Sequence, residues 1–143
     1  MTSKDAQGNE TINISDLGKL LQPPLESTEQ ELLFAWVSSR EAAYPELKML
    51  HHIPNGGMRN KREAARLKKQ GVKPGVPDIC LPVPRGKYHG LYIELKRVRQ
   101  GRETEAQTAW IAALNEQGYY ACTCYGWMNA TTVLLMYLND WII

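Results

Sequence analysis

Residues 75–96 read GVPDICLPVPRGKYHGLYIELK and contain two short apolar segments that predict neighbouring strands. The first extends from Asp78 to Pro82 or Val83 and has prolines at both ends. The second covers 91–96 and alternates, so that Glu94 and Lys96 share one face while the leucine between them points to the other. This stretch therefore predicts a carboxylate on one strand close to a carboxylate and an ammonium group on the next.

Helical patterns flank these strands. Ser27 and Thr28 each stand three residues before Gln or Glu, which gives two overlapping capping boxes and predicts a helix over about 27–43. Thr104 and Gln107 form a similar signal for a third helix. The other predicted elements are a first strand over 48–53, a basic second helix over 60–70, a last strand over 119–125 and a closing helix over 127–140. The fold class is α/β, with a small mixed sheet flanked by helices.

Length and composition predict one globular domain, because the chain has 143 residues of which 43% are apolar. We expect residues 1–22 to form a polar N-terminal extension and residues 23–143 to form the domain. No apolar run approaches the roughly 18 residues of a membrane span, and the N-terminus lacks the pattern of a signal peptide. We therefore expect a cytoplasmic protein that does not contact membranes. The three cysteines, Cys80, Cys122 and Cys124, lack zinc-site spacing and are interpreted as reduced, buried thiols.

Positive charge is concentrated in the middle of the chain. Residues 59–102 contain thirteen of the seventeen Lys and Arg residues and only three acidic residues, Glu63, Asp78 and Glu94. The segments before and after this block are both net acidic. A basic block of this kind is typical of a protein that binds a phosphate-rich partner, although a single basic helix is more often a solvated surface.

The spacing of Asp78, Glu94 and Lys96 suggests metal chemistry. Two carboxylates on adjacent strands can hold a hard divalent cation, with the backbone carbonyl of Leu95 as a third ligand. Lys96 then lies where it can orient an attacking water, help deprotonate it, or neutralise charge on a phosphate. The alternative for a Glu-x-Lys pair in a strand is an exposed ion pair of little energetic value.

The chain resembles a stand-alone VRR-NUC domain, a branch of the PD-(D/E)xK nuclease superfamily with a restriction-endonuclease-like core. The resemblance covers roughly residues 26–138, and the order and spacing of its motifs are specific. These motifs are PNGG (54–57), AARLK (64–68), GVKPGVPD (71–78), GLYIELK (90–96), TEAQ (104–107) and GY (118–119).

The resemblance implies a Mg²⁺- or Mn²⁺-dependent enzyme that hydrolyses DNA phosphodiester bonds and has no organic cofactor. Asp78 and Glu94 correspond to the family's metal-binding carboxylates and Lys96 to its catalytic lysine. The family's first-helix acid corresponds to Glu26, with Glu29 one turn further on as the alternative. The family's glutamine corresponds to Gln107, for which a capping role is the alternative.

Similar stand-alone domains resemble Holliday-junction resolvases, which implies a homodimer acting on branched DNA. A possible dimer surface is the apolar C-terminus (Tyr137, Leu138, Trp141, Ile142 and Ile143), and packing of this tail onto the core is the alternative. The candidate DNA-binding residues are Asn55, Arg59, Lys61, Arg62, Lys68, Lys69 and Lys73. The rival functions are a non-catalytic nucleic-acid-binding module and an interaction protein with an acidic partner.

Overall fold

A mixed four-stranded sheet forms the centre of the computed structural model, which describes residues 2–4, 10–12, 22, 24–55, 60–99 and 101–142. The strands are β1 (Thr2–Lys4), β2 (Glu10–Ile12), β3 (His51–His52), β4 (Ile79–Leu81), β5 (Leu91–Lys96) and β6 (Tyr120–Tyr125). The helices are α1 (Glu26–Arg40), α2 (Lys61–Lys69), α3 (Glu105–Glu116) and α4 (Trp127–Leu138), and a 3₁₀ turn covers Pro45–Met49. The predicted α/β class and element order are confirmed.

The register of the sheet brings the predicted acidic residues together. The strand order is β3-β4-β5-β6, with antiparallel pairs on either side of β4 and a parallel pair between β5 and β6. Ile79 pairs with Ile93 across the antiparallel β4–β5 ladder. The next residues outward, Asp78 and Glu94, therefore face each other at one end of that ladder.

Alternation along β5 gives the sheet two different faces. Leu91, Ile93 and Leu95 join a buried apolar cluster that includes residues of α1 and α4. The opposite face carries Glu94 and Lys96, and α3 supplies a hydrogen-bond partner to it. One face of β5 thus anchors the strand in the core, while the other holds its charged side chains beneath α3.

Two predicted elements differ from the structure. The predicted strand over 48–53 is shorter than expected, since only His51–His52 pair with β4 and its first two residues belong to the 3₁₀ turn that Pro45 starts. The predicted caps of α1 are also wrong, since the helix begins at Glu26 and uses Leu25 as its N-cap without a side-chain hydrogen bond. Ser27 and Thr28 therefore lie inside the first turn.

The two ends of the chain are described in part. The strands β1 and β2 form an antiparallel pair within the predicted N-terminal extension. At the other end, Tyr137 and Leu138 are buried in the core and Ile142 packs against it, whereas Trp141 is 64% exposed. Packing onto the core therefore accounts for most of the predicted dimer surface, and Ile143 lies outside the described residues.

The cysteines are free thiols, of which Cys80 and Cys124 are buried and Cys122 is half-buried. The prediction of buried thiols is correct for two of the three. Within the described part of the chain, no helix is both long and apolar enough to cross a membrane.

Candidate active site

Three carboxylates from three different elements meet at the end of the β4–β5 ladder. One oxygen each from Glu26, Asp78 and Glu94 lies within 4.8 Å of the other two. Glu26 is the first residue of α1, Asp78 directly precedes β4, and Glu94 lies within β5. The structure therefore unites the two strand carboxylates that the sequence predicts with one of the two candidate first-helix acids.

Glu94 and Lys96 form a buried ion pair. The side chain of Glu94 is only 1% exposed, and its Oε1 lies 3.1 Å from the Nζ atom of Lys96. The alternative of an exposed ion pair is therefore wrong, because both residues are buried. Burial and the nearby charge of Asp78 together raise the pKa of Glu94 from 4.5 to about 7, against the opposing effect of Lys96.

Asp78 is held by the backbone on both sides. Its Oδ2 accepts a hydrogen bond from the Leu95 amide at 2.9 Å. Its carbonyl oxygen accepts from the Ile53 amide and from His52, whose Nδ1 lies 2.8 Å away. Burial raises the pKa of Asp78 despite these contacts. The role of the Leu95 carbonyl as a metal ligand stays a prediction.

The donor set fits a hard divalent cation. Oε2 of Glu94 is buried and has no hydrogen-bond partner among the described residues, although a buried carboxylate oxygen ordinarily requires one. Together with Glu26 and Asp78 it provides oxygen ligands, which Mg²⁺ and Mn²⁺ prefer. A cation at this position would compensate both the unpartnered oxygen and the mutual repulsion of the three carboxylates.

Gln107 forms the predicted capping box and also contacts the carboxylate cluster. Its backbone amide donates to the Thr104 hydroxyl at 3.2 Å, and its Oε1 accepts from the Thr104 amide at 2.9 Å, which completes a capping box. Its Nε2 donates to Oε1 of Glu94 at 2.6 Å. The start of α3 is therefore coupled directly to a carboxylate of the cluster.

Glu29 has a different function from Glu26, although they lie one turn apart on α1. Glu29 is 2% exposed, and its Oε2 accepts a hydrogen bond from the backbone amide of Trp127 at the start of α4. The adjacent Gly126 donates its amide to the Lys96 carbonyl at 2.8 Å. Glu29 therefore caps α4 beside the end of β5, and Glu26 is the first-helix acid at the cluster.

Two glycines allow close packing around the site. Gly75 has φ +87°, and a Cβ there would lie 2.5 Å from the backbone carbon of Ala106, so the loop before Asp78 rests on α3. A Cβ on Gly101 would lie 2.6 Å from that of Lys96. The chain after β5 therefore folds closely over the lysine, and sequence analysis missed this contact.

A pocket of about 380 Å³ opens beside the carboxylates. Besides the carboxylates, Leu95 and Gln107, its lining contains Ser27 and Gln30 from α1 and three residues at the end of β3, namely His52, Pro54 and Asn55. Sequence analysis proposed Asn55 as a DNA contact but missed Ser27, Gln30 and His52 as pocket residues. Nothing local in the sequence connects α1 to β3, because the sheet and the α1–β5 packing bring them together.

The basic residues lie apart from the carboxylates. On α2, the exposed candidates for DNA contact are Lys61, Arg62, Lys68 and Lys69, and none of the helix is buried. Lys73 is exposed in the loop that leads to Asp78. Arg59 lies outside the described residues. We call these side chains the basic surface; they lie in the chain between Asn55 and Asp78, which both line the pocket.

The model of the VRR-NUC domain matches residues 15–128. The chain belongs to the VRR-NUC domain family. This membership confirms the resemblance seen in the sequence motifs and places the chain among nuclease-type domains.

A solved structure supports the same fold for this VRR-NUC domain. It is described as "VRR_NUC domain protein" and is 33% identical, with a TM-score of 0.71. The similarity covers 83% of this chain and 92% of that one. No curated protein matches the chain significantly. The restriction-endonuclease-like fold predicted from the sequence agrees with this structural similarity.

Proposed function

We propose that this VRR-NUC protein is a metal-dependent DNA nuclease that hydrolyses phosphodiester bonds with Mg²⁺ or Mn²⁺. The observation that carries this proposal is the carboxylate cluster, in which three oxygens lie within 4.8 Å of one another beside the buried Lys96–Glu94 pair. A structural ion pair does not require two further carboxylates, whose charges raise the energy of the folded protein.

The residues of the site have three roles in the proposed reaction. Glu26, Asp78 and Glu94 hold the cation, which when bound supplies Lewis-acid polarisation of the scissile phosphate. The Lys96 ammonium, fixed by Glu94, orients the attacking water and neutralises charge that develops on the phosphate oxygens. Gln107 keeps the Glu94 carboxylate in place. Water attacks in line with the leaving group, without a covalent enzyme intermediate.

The basic surface supplies the binding energy for DNA. Lys61, Arg62, Lys68 and Lys69 are exposed on α2, and Lys73 follows in the loop to Asp78. Such side chains bind phosphates irrespective of sequence, so we infer recognition of DNA shape rather than of bases.

We infer further that the protein acts as a homodimer on branched DNA, in the manner of a Holliday-junction resolvase. Each chain has one carboxylate cluster among its described residues, whereas cleavage of two strands requires two such sites related by a two-fold axis. The exposed Trp141 is one apolar side chain available to such an interface.

Cleavage of labelled DNA tests the proposal. Duplex, single-stranded, flap and four-way-junction substrates are incubated with Mg²⁺, Mn²⁺ or EDTA. We expect metal-dependent cutting that falls roughly 10³-fold in both variants, since Asp78→Asn weakens a ligand of the cation and Lys96→Ala removes the positive charge beside the reacting phosphate.

The matched controls are Asp140→Asn and Lys87→Ala, which change exposed residues of the same types. We expect wild-type rates from both. Salt-sensitive DNA binding without cutting in any metal would contradict the proposal and favour a non-catalytic binding module on a nuclease-like fold.

A further inference from the structure

The pocket is larger than a cation requires. Its volume is about 380 Å³, within the roughly 300–1,000 Å³ of sites that take organic ligands. A Mg²⁺ ion with its ligands at about 2.1 Å needs only the carboxylate end of this space. The remaining wall is built from α1 and from the end of β3, and it contains no acidic residue.

Asn55 on this wall has an unused donor. Its Nδ2 is buried and has no hydrogen-bond partner in the part of the chain that the structure describes. An amide nitrogen has no lone pair to offer a cation, so the missing partner is an acceptor oxygen. A buried donor without a partner costs about 1–3 kcal/mol, and a ligand oxygen would remove that cost.

His52 is held in one orientation next to it. Since the Asp78 carbonyl can only accept, Nδ1 of His52 carries the proton in their 2.8 Å hydrogen bond. The Nε2 edge has no partner among the described residues, and the ring does not belong to the carboxylate cluster. The His52 ring is therefore fixed with its Nε2 edge in the pocket beside the carboxylate cluster. The ring is not itself a member of that cluster.

We propose that His52 and Asn55 form a subsite that binds one nucleotide of the DNA strand through its phosphate oxygens, next to the scissile phosphate. Asn55 donates from Nδ2 directly to a phosphate oxygen, whereas Nε2 of the neutral His52 ring carries a lone pair and accepts from a water that donates its other proton to the phosphate. This inference rests on the proposed function and extends it to the substrate. Ser27 and Gln30 on α1 line the same space and have no side-chain hydrogen bond to any described residue, which adds two donors to the wall. The subsite holds the strand so that the scissile phosphate meets the carboxylates and Lys96.

DNA affinity measured in Ca²⁺ tests this subsite in the full chain. Fluorescence anisotropy is recorded with a labelled duplex and with its single strand for wild type, His52→Ala, Asn55→Ala and Asn55→Asp. We expect affinity to fall about tenfold in Asn55→Ala, which loses a hydrogen bond to a charged oxygen, and by less in His52→Ala, which loses a water-mediated contact. Asn55→Asp should be weaker still, because a carboxylate repels phosphate.

His51→Ala is the matched control. His51 is the neighbouring residue of β3, and its Nδ1 likewise bonds a backbone carbonyl, that of Met49, but it does not line the pocket. The affinity of the His51→Ala variant for DNA should equal that of wild type. Calorimetric titration with Ca²⁺ alone should give the same Kd for wild type and the three alanine variants, which shows that the carboxylate cluster is intact.

The outcomes separate this proposal from the proposed function. Unchanged affinity and KM in the His52 and Asn55 variants, with normal cleavage by wild type, overturns the subsite alone. A loss of Ca²⁺ affinity in His52→Ala that matches its loss of DNA affinity also overturns it, because His52 then acts only through Asp78. A wild type that binds no DNA overturns both proposals.

Discussion

Strand β5 and helix α2 both carry functional charge, but in opposite environments. In β5, Glu94 and Lys96 are 1% and 6% exposed, and each has specific partners at defined distances. In α2, none of the residues is buried, and the basic side chains extend into solvent. The difference teaches that each charge in β5 acts through its own fixed partners, whereas the charges of α2 act mainly through their sum.

The largest expected effect is a change in stability with pH, caused by protonation of Glu94 in β5. The pKa of Glu94 is about 7 in the folded protein and ordinarily 4.5, so between these values the folded state binds more protons than the unfolded one. Without metal, the stability contributed by this group is therefore greatest below pH 4.5 and decreases as the pH rises through 7, by up to about 3 kcal/mol. Urea unfolding in EDTA at pH 5 and pH 8 measures this change.

Asp78→Asn should reduce this pH dependence, because the charge of Asp78 is the second cause of the raised pKa after burial. The variant should also be more stable than wild type at pH 8 in EDTA and lose the stabilisation that added Mg²⁺ gives. Asp140→Asn, at an exposed position, should leave both properties unchanged. Equal pH dependence in wild type and Asp78→Asn would contradict the electrostatic coupling.

Substitution of Glu29 or Glu26, the two glutamates one turn apart on α1, should have smaller effects on stability. Glu29→Ala should lower the free energy of unfolding by about 2 kcal/mol, since the Trp127 amide at the start of α4 loses its partner. Glu29→Gln keeps an acceptor oxygen and should lose less. Thermal unfolding and circular dichroism measure both variants.

Glu26→Ala is the counterpart one turn away. Because Glu26 is exposed, its loss should change stability by less than about 0.5 kcal/mol but weaken the binding of Mn²⁺. A large loss of stability in Glu26→Ala, or a loss of Mn²⁺ affinity only in Glu29→Ala, would reverse the assignment of the two residues.

The smallest effect on stability is expected on α2. The double variant Lys68→Glu/Lys69→Glu should change the free energy of unfolding by less than about 0.5 kcal/mol, because both side chains are exposed. It should nevertheless weaken DNA binding and reduce its dependence on salt, since each lost phosphate contact lowers the slope by about 0.9. Affinity measured over a range of salt concentrations, with Lys48→Glu as the exposed control, tests this. An unchanged slope would place the DNA away from α2.

The predictable parts of the fold are those with a strong local pattern. The bounds of β5 agree with the prediction, because alternation and the preceding turn define the strand within a few residues. The capping box of Thr104 and Gln107 is also confirmed. The strand predicted over 48–53 is reduced to His51–His52, because the 3₁₀ turn that Pro45 starts extends to Met49.

The candidate site was likewise predictable only where its residues belong to a local sequence motif. Asp78, Glu94 and Lys96 lie on adjacent strands, and their spacing in a local motif indicates that they meet. Glu26 and Glu29 are both acidic and lie one turn apart. No local pattern therefore shows which of them joins the carboxylate cluster and which caps α4. His52 joins the pocket only because β3 pairs with β4.

The sequence by itself determined the α/β class, the charged strand β5 and the basic surface, because periodicity and composition act over a few neighbouring residues. Only the tertiary structure decided which glutamate reaches the carboxylates and which histidine and asparagine line the pocket. Those choices depend on how α1 and β3 pack against residues that lie 26 to 98 positions away in the chain, as the contacts of His52 and Glu29 show. Burial then sets the protonation of Glu94, since desolvation exists only once the chain has folded around it.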